Sequence, residues 1–259
     1  MSPQQQIESP AIVLDCRDHG ESDKIITLFC QRLGRITGIA KGAKRSKKRF
    51  VNKLEIFSSL NICHTLPLNG RLAFIAEAEL LDGFINIRTD IACYTTASII
   101  REFLLLATKE MEGDTKLYPL LIWAFHSLNT QQSPNPVLIF FLIRFFSIIG
   151  YHPNLSNCAE CGQQLNNSDN YSFHTQSGGI HCNRCTQGQR HSRVPLSCGT
   201  LKYLDMAIKQ PLSRLRRLQL TEQSQLESLS FLHIYGRQLF QREIISWRFL
   251  NTETGANRK

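Results

Sequence analysis

Short stretches in which apolar and polar residues alternate fill the first 80 or so positions. From about residue 84 the apolar positions fall instead at spacings of three and four. The alternation predicts five strands, over 10–17, 24–30, 35–41, 54–63 and 72–78. Asp18-His-Gly-Glu-Ser22 reads as a turn between the first two. Gly34 and Gly38 suit a tight turn and a bend or bulge. Five short strands with a long connection between the third and fourth predict a small closed barrel of the OB type, with an SH3-like barrel or a mixed α+β unit as alternatives.

The helical half begins with Thr89 or Asp90 as N-cap of a helix running to about Met111. Ala97, Ile100, Phe103, Leu104 and Ala107 form its apolar face. Asp114 caps a second helix carrying Leu117, Leu120, Leu121, Ala124, Phe125 and Leu128. Ser133-Pro-Asn-Pro136 opens a third, apolar almost all round and ending at Gly150. That pattern predicts the central helix of a bundle. A helix over 199–209, a short one after Pro211 and a long one over 222–249 follow. The last turns Leu226, Leu229, Leu232, Leu239 and Phe240 toward the core. The fold class is thus α+β and multidomain. The division is 1–80 as an OB-fold domain, 81–151 helical, 152–190 an inserted four-cysteine module, 191–250 helices packing with the helical domain, and 251–259 a polar, frayed tail.

Composition narrows the class. The chain has 259 residues, 42% of them hydrophobic, enough for more than one core. The start, MSPQQQIESP, lacks the basic-then-apolar pattern of a secretory signal. The longest apolar run, 137–149, falls short of the ~20 residues that span a bilayer and is broken by Arg144. Nine cysteines, five of them scattered (Cys16, Cys30, Cys63, Cys93, Cys198), suit a reducing cytoplasm. The sequons at Asn154 and Asn166 then carry no meaning.

The remaining four cysteines, Cys158, Cys161, Cys182 and Cys185, form two Cys-x-x-Cys pairs around a 20-residue spacer. Each pair can turn two thiolates toward one ion, and two pairs complete the tetrahedral set zinc prefers. The spacer is rich in Asn, Ser and Gly and has too little apolar surface to fold unaided. One structural Zn2+ is expected. A redox pair would need a thioredoxin-like context that is missing; a set with His174 or His181 in place of one thiolate is the mixed alternative. A closed sulfur set leaves no open position for a substrate.

The formal charge is +9, and residues 41–53 carry seven basic side chains with no acid, so everything else sums to +2. Concentrated charge points to a polyanion. Lys41, Lys44, Arg45, Lys47, Lys48, Arg49 and Lys53, with Arg35 on the preceding strand, are the candidate phosphate contacts. Such contacts position a strand without reading bases. Phe50 can stack on a base or anchor in the barrel core. Arg214, Arg216 and Arg217 can extend the surface. Asp15, Asp18, Glu21 and Asp23 read as a solvated turn, with a nuclease carboxylate set as the alternative. Gly34-Arg-Ile-Thr-Gly38 and Lys41-Gly-Ala-Lys44 lack the Gly-Lys-Ser/Thr of a phosphate-binding loop, and no Gly-x-Ser-x-Gly or His-Glu-x-x-His occurs.

Four landmarks, taken in order, resemble the bacterial RecO family. They are Gly20-Glu-Ser-Asp-Lys24 with Thr27-Leu-Phe29; Gly34-Arg-Ile36 with Ala40-Lys-Gly-Ala43 and the basic run; Arg144-Phe-Phe-Ser-Ile-Ile-Gly-Tyr-His-Pro153 leading into Cys158-Ala-Glu-Cys161; and Ser246-Trp-Arg-Phe-Leu250. The resemblance implies an OB-fold, a helical domain and a zinc module. It implies a non-enzymatic mediator of DNA repair and homologous recombination. Such a protein binds single- and double-stranded DNA, anneals complementary strands without ATP, and works in the cytoplasm, at the nucleoid. Its implied partners are RecR, the single-stranded-DNA-binding protein and, in loading, RecA. A zinc-containing nuclease and an adaptor that binds mainly proteins are the other readings.

Overall fold

The computed structural model describes residues 6–66, 72–130, 132–166, 170–175, 177–186 and 193–250. The 251–259 tail therefore lies outside the described residues. The chain divides into two compact units. The first holds residues up to Ala97 together with Ala107–Thr130; the second holds Ser98–Leu106 and everything from Gln131 onward.

The first unit is built on a closed five-stranded barrel of β1 (Gln6–His19), β2 (Asp23–Cys30), β3 (Gly34–Ala40), β4 (Ser59–Thr65) and β5 (Ala73–Asp82), in the order β1-β2-β3-β5-β4. β4 pairs back onto β1, and β3 meets β5 in parallel, which is the Greek-key closure of an OB-fold. Alternation decides which side chains go inside. Ala11, Val13, Ile26, Leu28, Ile36, Leu60, Ile62 and Ile75 form the barrel core. A bulge between Val13 and Asp15 breaks the register with β2. The β3–β5 seam is only two pairs long, Gly38 with Ala73 and Ile39 with Phe74. A Cβ at Gly38 would stand 3.0 Å from the Ala73 carbonyl oxygen and inside the Ile75 side chain, so this closure needs glycine.

Helices α1 (Ile85–Thr89), α2 (Ile91–Ala107) and α3 (Leu117–Asn129) follow. Asp90 caps α2 by accepting from the Cys93 N–H, and Asp114 accepts from the Lys116 and Leu117 N–H groups at the start of α3. Two expectations need correction. α2 stops at Ala107, not Met111, because the next residues serve the barrel. The Met111 N–H donates to the Arg35 carbonyl, the Thr37 N–H and hydroxyl donate to Glu110, and Gly34 backs onto the Glu112 carbonyl. They cover the part of β3 that β5 leaves unpaired. The fourth strand begins at Ser59, not at 54. Residues 54–58 form a loop in which Phe57, at φ 74°, is buried edge-on against Tyr94 and Phe125. Burying that ring contributes about 2–3 kcal/mol against the cost of its backbone.

In the second unit α4 (Pro134–Ile148) is buried from Val137 to Ile143 and again at Phe145 and Phe146, as its all-round apolar surface predicts. Beside it are a three-stranded sheet, β7-β6-β8, of β6 (Asn170–His174), β7 (Gly179–Cys182) and β8 (Arg193–Ser197), and helices α5 (Cys198–Lys209), α6 (Leu212–Leu215), α7 (Glu222–Phe240) and α8 (Trp247–Leu250). Phe103 packs edge-on against Phe145, Phe146 and Trp247, and Gly236 lets α7 approach that ring. Arg144 donates to the Ala207 and Gln210 carbonyls, the end of α5, where the helix dipole favours a cation. The long helix expected over 222–249 breaks at Gln241, which adopts φ 49°. The break lets Trp247 fold back to stack on His233 at 4.5 Å, while Glu102 accepts from the Ile245 and Ser246 N–H groups. Leu226, expected inside, is 57% exposed.

Candidate nucleic-acid interface and candidate metal centre

The basic segment leaves β3 through Gly42, which adopts φ 68°, and makes one 3-10 turn at Ala43–Arg45. Three apolar pegs, Ala43, Phe50 and Leu54, drop into the barrel core and fix its path. Phe50 is 3% exposed, so the base-stacking expectation is corrected: the ring is an anchor, with no face open to a base. Two cations are spent on the backbone. Arg49 donates to the Ala76 and Lys41 carbonyls, and Lys53 donates to those of Ala78, Lys48 and Arg49. Both clasp the loop to β5.

Two more cations are paired with the β1–β2 turn. Lys44 lies 3.0 Å from Asp18, and Arg45 lies 4.0 Å from Glu21. Asp23 accepts from the Gly42 N–H and the Ser22 hydroxyl. Those two bonds, the Gly42 one first, hold its carboxyl below the usual range. Arg35 sits apart from the loop, half-buried on β3 and 3.6 Å from Glu110. Lys41, Lys47 and Lys48 are exposed, and their ammonium groups have no hydrogen-bond or ion-pair partner among the described residues. The seven loop cations thus share one segment but not one role.

In the second unit the two Cys-x-x-Cys pairs converge. All four Sγ atoms lie within 4.8 Å of one another, and Cys161 and Cys182 are 3.9 Å apart. Ligands 2.3 Å from a tetrahedral zinc would stand about 3.8 Å apart. Each pair is shaped by its own turn. The Gly162 N–H donates to the Cys158 carbonyl with Gly162 at φ 71°, and the Cys185 and Thr186 N–H groups donate to the Cys182 carbonyl. The Ala159 N–H donates to the Ile180 carbonyl and joins the first pair to β7. Burial pushes the Cys158 thiol up, but backbone N–H groups of Cys161, Cys182 and Glu160 outweigh it and bring it down to about 6. Cys185 is pushed the other way, to about 12, by burial and then by the sulfurs beside it. One thiolate forms readily and its neighbours resist a second charge; a bound cation removes that conflict. The four cysteines could hold a metal ion. His174 and His181 stack on each other at 4.3 Å and are not among the converging donors, so the mixed ligand set is not what the structure forms.

The family descriptions "Recombination protein O N terminal" and "Recombination protein O C terminal" match residues 1–84 and 88–248. The DNA repair protein RecO of Syntrophobacter fumaroxidans is 30% identical over 240 residues, 93% of this chain and 95% of the relative. That of Caldanaerobacter subterraneus is 33% identical over 216 residues, 82% and 84%. That of Listeria monocytogenes is 27% identical over 246 residues, 91% and 94%.

The chain belongs to the recombination protein O family. Its barrel and basic loop fall inside the N-terminal match of that family, and its four cysteines inside the C-terminal match. The three relatives are each named as DNA repair proteins. No described helix is long and apolar enough to cross a membrane. Among the described residues the cysteines are the one converging group of three or more His, Cys, Asp or Glu. The acids Asp18, Glu21 and Asp23 instead face the loop. Their role in shaping it was not foreseen, although the acid-rich turn and the base-rich loop are complementary in sequence. The β6–β8 sheet was missed too. Its signal, the alternation in Tyr171-Ser-Phe173 and Val194-Pro-Leu196, is short and interrupted by proline.

Proposed function

We propose that this RecO-family chain binds DNA, single- and double-stranded, through the basic loop of its barrel and anneals complementary strands without ATP. The observation that carries the reading is the exposure of Lys41, Lys47 and Lys48, whose ammonium groups make no hydrogen bond or close ion pair among the described residues, on a loop whose neighbours Phe50, Arg49 and Lys53 hold it against the barrel. Annealing requires two polyanions to approach while their repulsion is screened. Fixed ammonium groups supply that screening and release counterions from the strands. No covalent step is needed, and none is assigned to any residue. The reading extends to assisting RecA loading together with RecR and to contact with the single-stranded-DNA-binding protein, in the cytoplasm. These partners come from family membership.

The four cysteines are proposed to hold one Zn2+ as a structural ion. With four sulfurs around it, its contribution is to fasten the two turns to β7 so that the sheet and the segment before it fold as one piece. The domain division 1–80, 81–151, 152–190 and 191–250 is retained as a functional proposal: DNA contact in the first part, metal in the third. Replacing Lys41, Lys47 and Lys48 together with alanine tests the DNA reading. Affinity for an oligonucleotide should fall roughly ten- to hundredfold near 0.1 M salt. An unchanged titration would remove the loop from the mechanism.

A further inference from the structure

The β1–β2 turn and the basic loop are fastened to each other by hydrogen bonds from loop backbone N–H groups, which do not use the loop's cations. The Lys44 N–H donates to the Ser22 carbonyl at 2.9 Å, and the Gly42 N–H donates to Asp23 at 2.8 Å. That fastening places two further carboxylates against the loop. Asp18 lies 3.0 Å from the Lys44 ammonium, which also reaches the Gly20 carbonyl at 3.4 Å, and Glu21 lies 4.0 Å from the Arg45 guanidinium. Both acids are open to solvent, with side chains 61% and 95% exposed. Pairs this exposed contribute little to folding. The two acids occupy the positions a phosphate oxygen would take on the same two cations.

We propose that Asp18 and Glu21 are an intramolecular competitor for the nucleic-acid backbone, resting on the DNA-binding reading above. In the free protein they hold Lys44 and Arg45. A strand that engages the loop displaces them and gains two phosphate contacts at the cost of two ion pairs. Lys41, Lys47 and Lys48 make the first contact, and the two paired cations make a reversible second one. The loop's grip is therefore weaker than its seven charges would give, and its strand leaves faster. A protein that brings two strands together must then let the duplex go. The acids set that release without touching a base, so their effect is the same on any sequence.

The test is anisotropy of a labelled oligothymidylate across about 50–200 mM salt, with dissociation followed by stopped flow. Asp18→Asn with Glu21→Gln should tighten binding roughly three- to tenfold. The gain should lie mainly in slower dissociation, and the salt slope should stay within about 0.7 of wild type, because phosphates meet Lys44 and Arg45 in both proteins. Asp205→Asn, which removes an acid paired with Lys209 on α5, makes half the charge change without freeing a loop cation and should leave the affinity unchanged. In a Lys44→Ala, Arg45→Ala background the two acid substitutions should lose most of their effect. A wild-type protein that binds, loses affinity on Lys47→Ala with Lys48→Ala, yet is unmoved by the acid substitutions would overturn the competitor and leave the interface standing. Equal tightening by Asp205→Asn would reduce the effect to net charge and overturn it as well. Absence of wild-type binding would overturn both.

Discussion

Residues 41–53 and residues 158–185 both carry few apolar side chains for their length, and they are held in place by opposite means. The loop is fastened from below, by Ala43, Phe50 and Leu54 in the barrel core and by Arg49 and Lys53 on strand carbonyls. Its polar ends at Lys41, Lys47 and Lys48 stay exposed. The cysteine segment turns its reactive groups toward one another, four sulfurs within 4.8 Å, with Cys158 and Cys182 buried, Cys185 partly buried and Cys161 exposed. Groups that face solvent singly are available to a ligand; groups that converge on one another are placed to serve folding. The four cysteines make the more specific sequence signal, and the loop is the better place to look for function.

That contrast can be broken first at the metal. Cys158→Ser or Cys182→Ser should abolish metal binding, whose free energy is on the order of 10 kcal/mol for structural zinc sites. Hydrogen exchange should show protection lost across β6 and β7 and kept in the barrel strands. Elemental analysis finding no zinc in wild-type protein, or amides still protected after its removal, would contradict the converging half of the comparison. Cys198→Ser, outside the cluster, should change neither reading.

The next effect is in the barrel. Phe50→Ala should destabilise it by about 3–5 kcal/mol in denaturant unfolding, as loss of a buried aromatic does. A loss under about 1 kcal/mol with strongly reduced DNA affinity would restore the ring to base stacking. The clasps come third. Arg49→Ala and Lys53→Ala should each cost about 1–2 kcal/mol, because charged donors leave backbone carbonyls. Lys47→Ala should stay within about 0.5 kcal/mol of wild type.

The smallest effect concerns pH. Glu227 accepts from the Ser197 N–H and hydroxyl, the Thr200 hydroxyl and the Gln223 amide. Burial raises its carboxyl, and these donors outweigh burial and bring it below its ordinary 4.5. A depressed folded value stabilises the ionised form. The contribution is complete above the unfolded value and disappears as pH falls through the folded one. Glu227→Gln should therefore lower the melting temperature at pH 7, and the gap to wild type should narrow as pH falls below 4.5 and through the folded value.

The OB-fold was legible because each barrel strand has one buried face, so period-two alternation carries its register. The central helix α4 was legible because apolarity all round leaves it no solvent face. Alternation did not separate Leu54 to Phe57 from a strand, since Leu54-Glu55-Ile56 alternates in the sequence, whereas the loop buries Leu54 and Phe57 and leaves Ile56 partly exposed. The end of α7 had no glycine or proline to announce it. It is decided by Trp247 and Glu102, the second of them 143 residues from Ile245. The loop's charge was plain in the sequence, but which cations are free was not. That depends on Asp18, Glu21, Ala76 and Ala78, which reach the loop only through the folded barrel.

The central claim is that Lys41, Lys47 and Lys48 are the outward chemistry of this RecO-family protein. A salt titration of single-stranded oligonucleotide binding, wild type against the triple alanine variant, tests it most directly. The account predicts a slope smaller in magnitude by about 2, three contacts at 0.7 each, with the unfolding midpoint unchanged. An identical slope and affinity in the two proteins would contradict it.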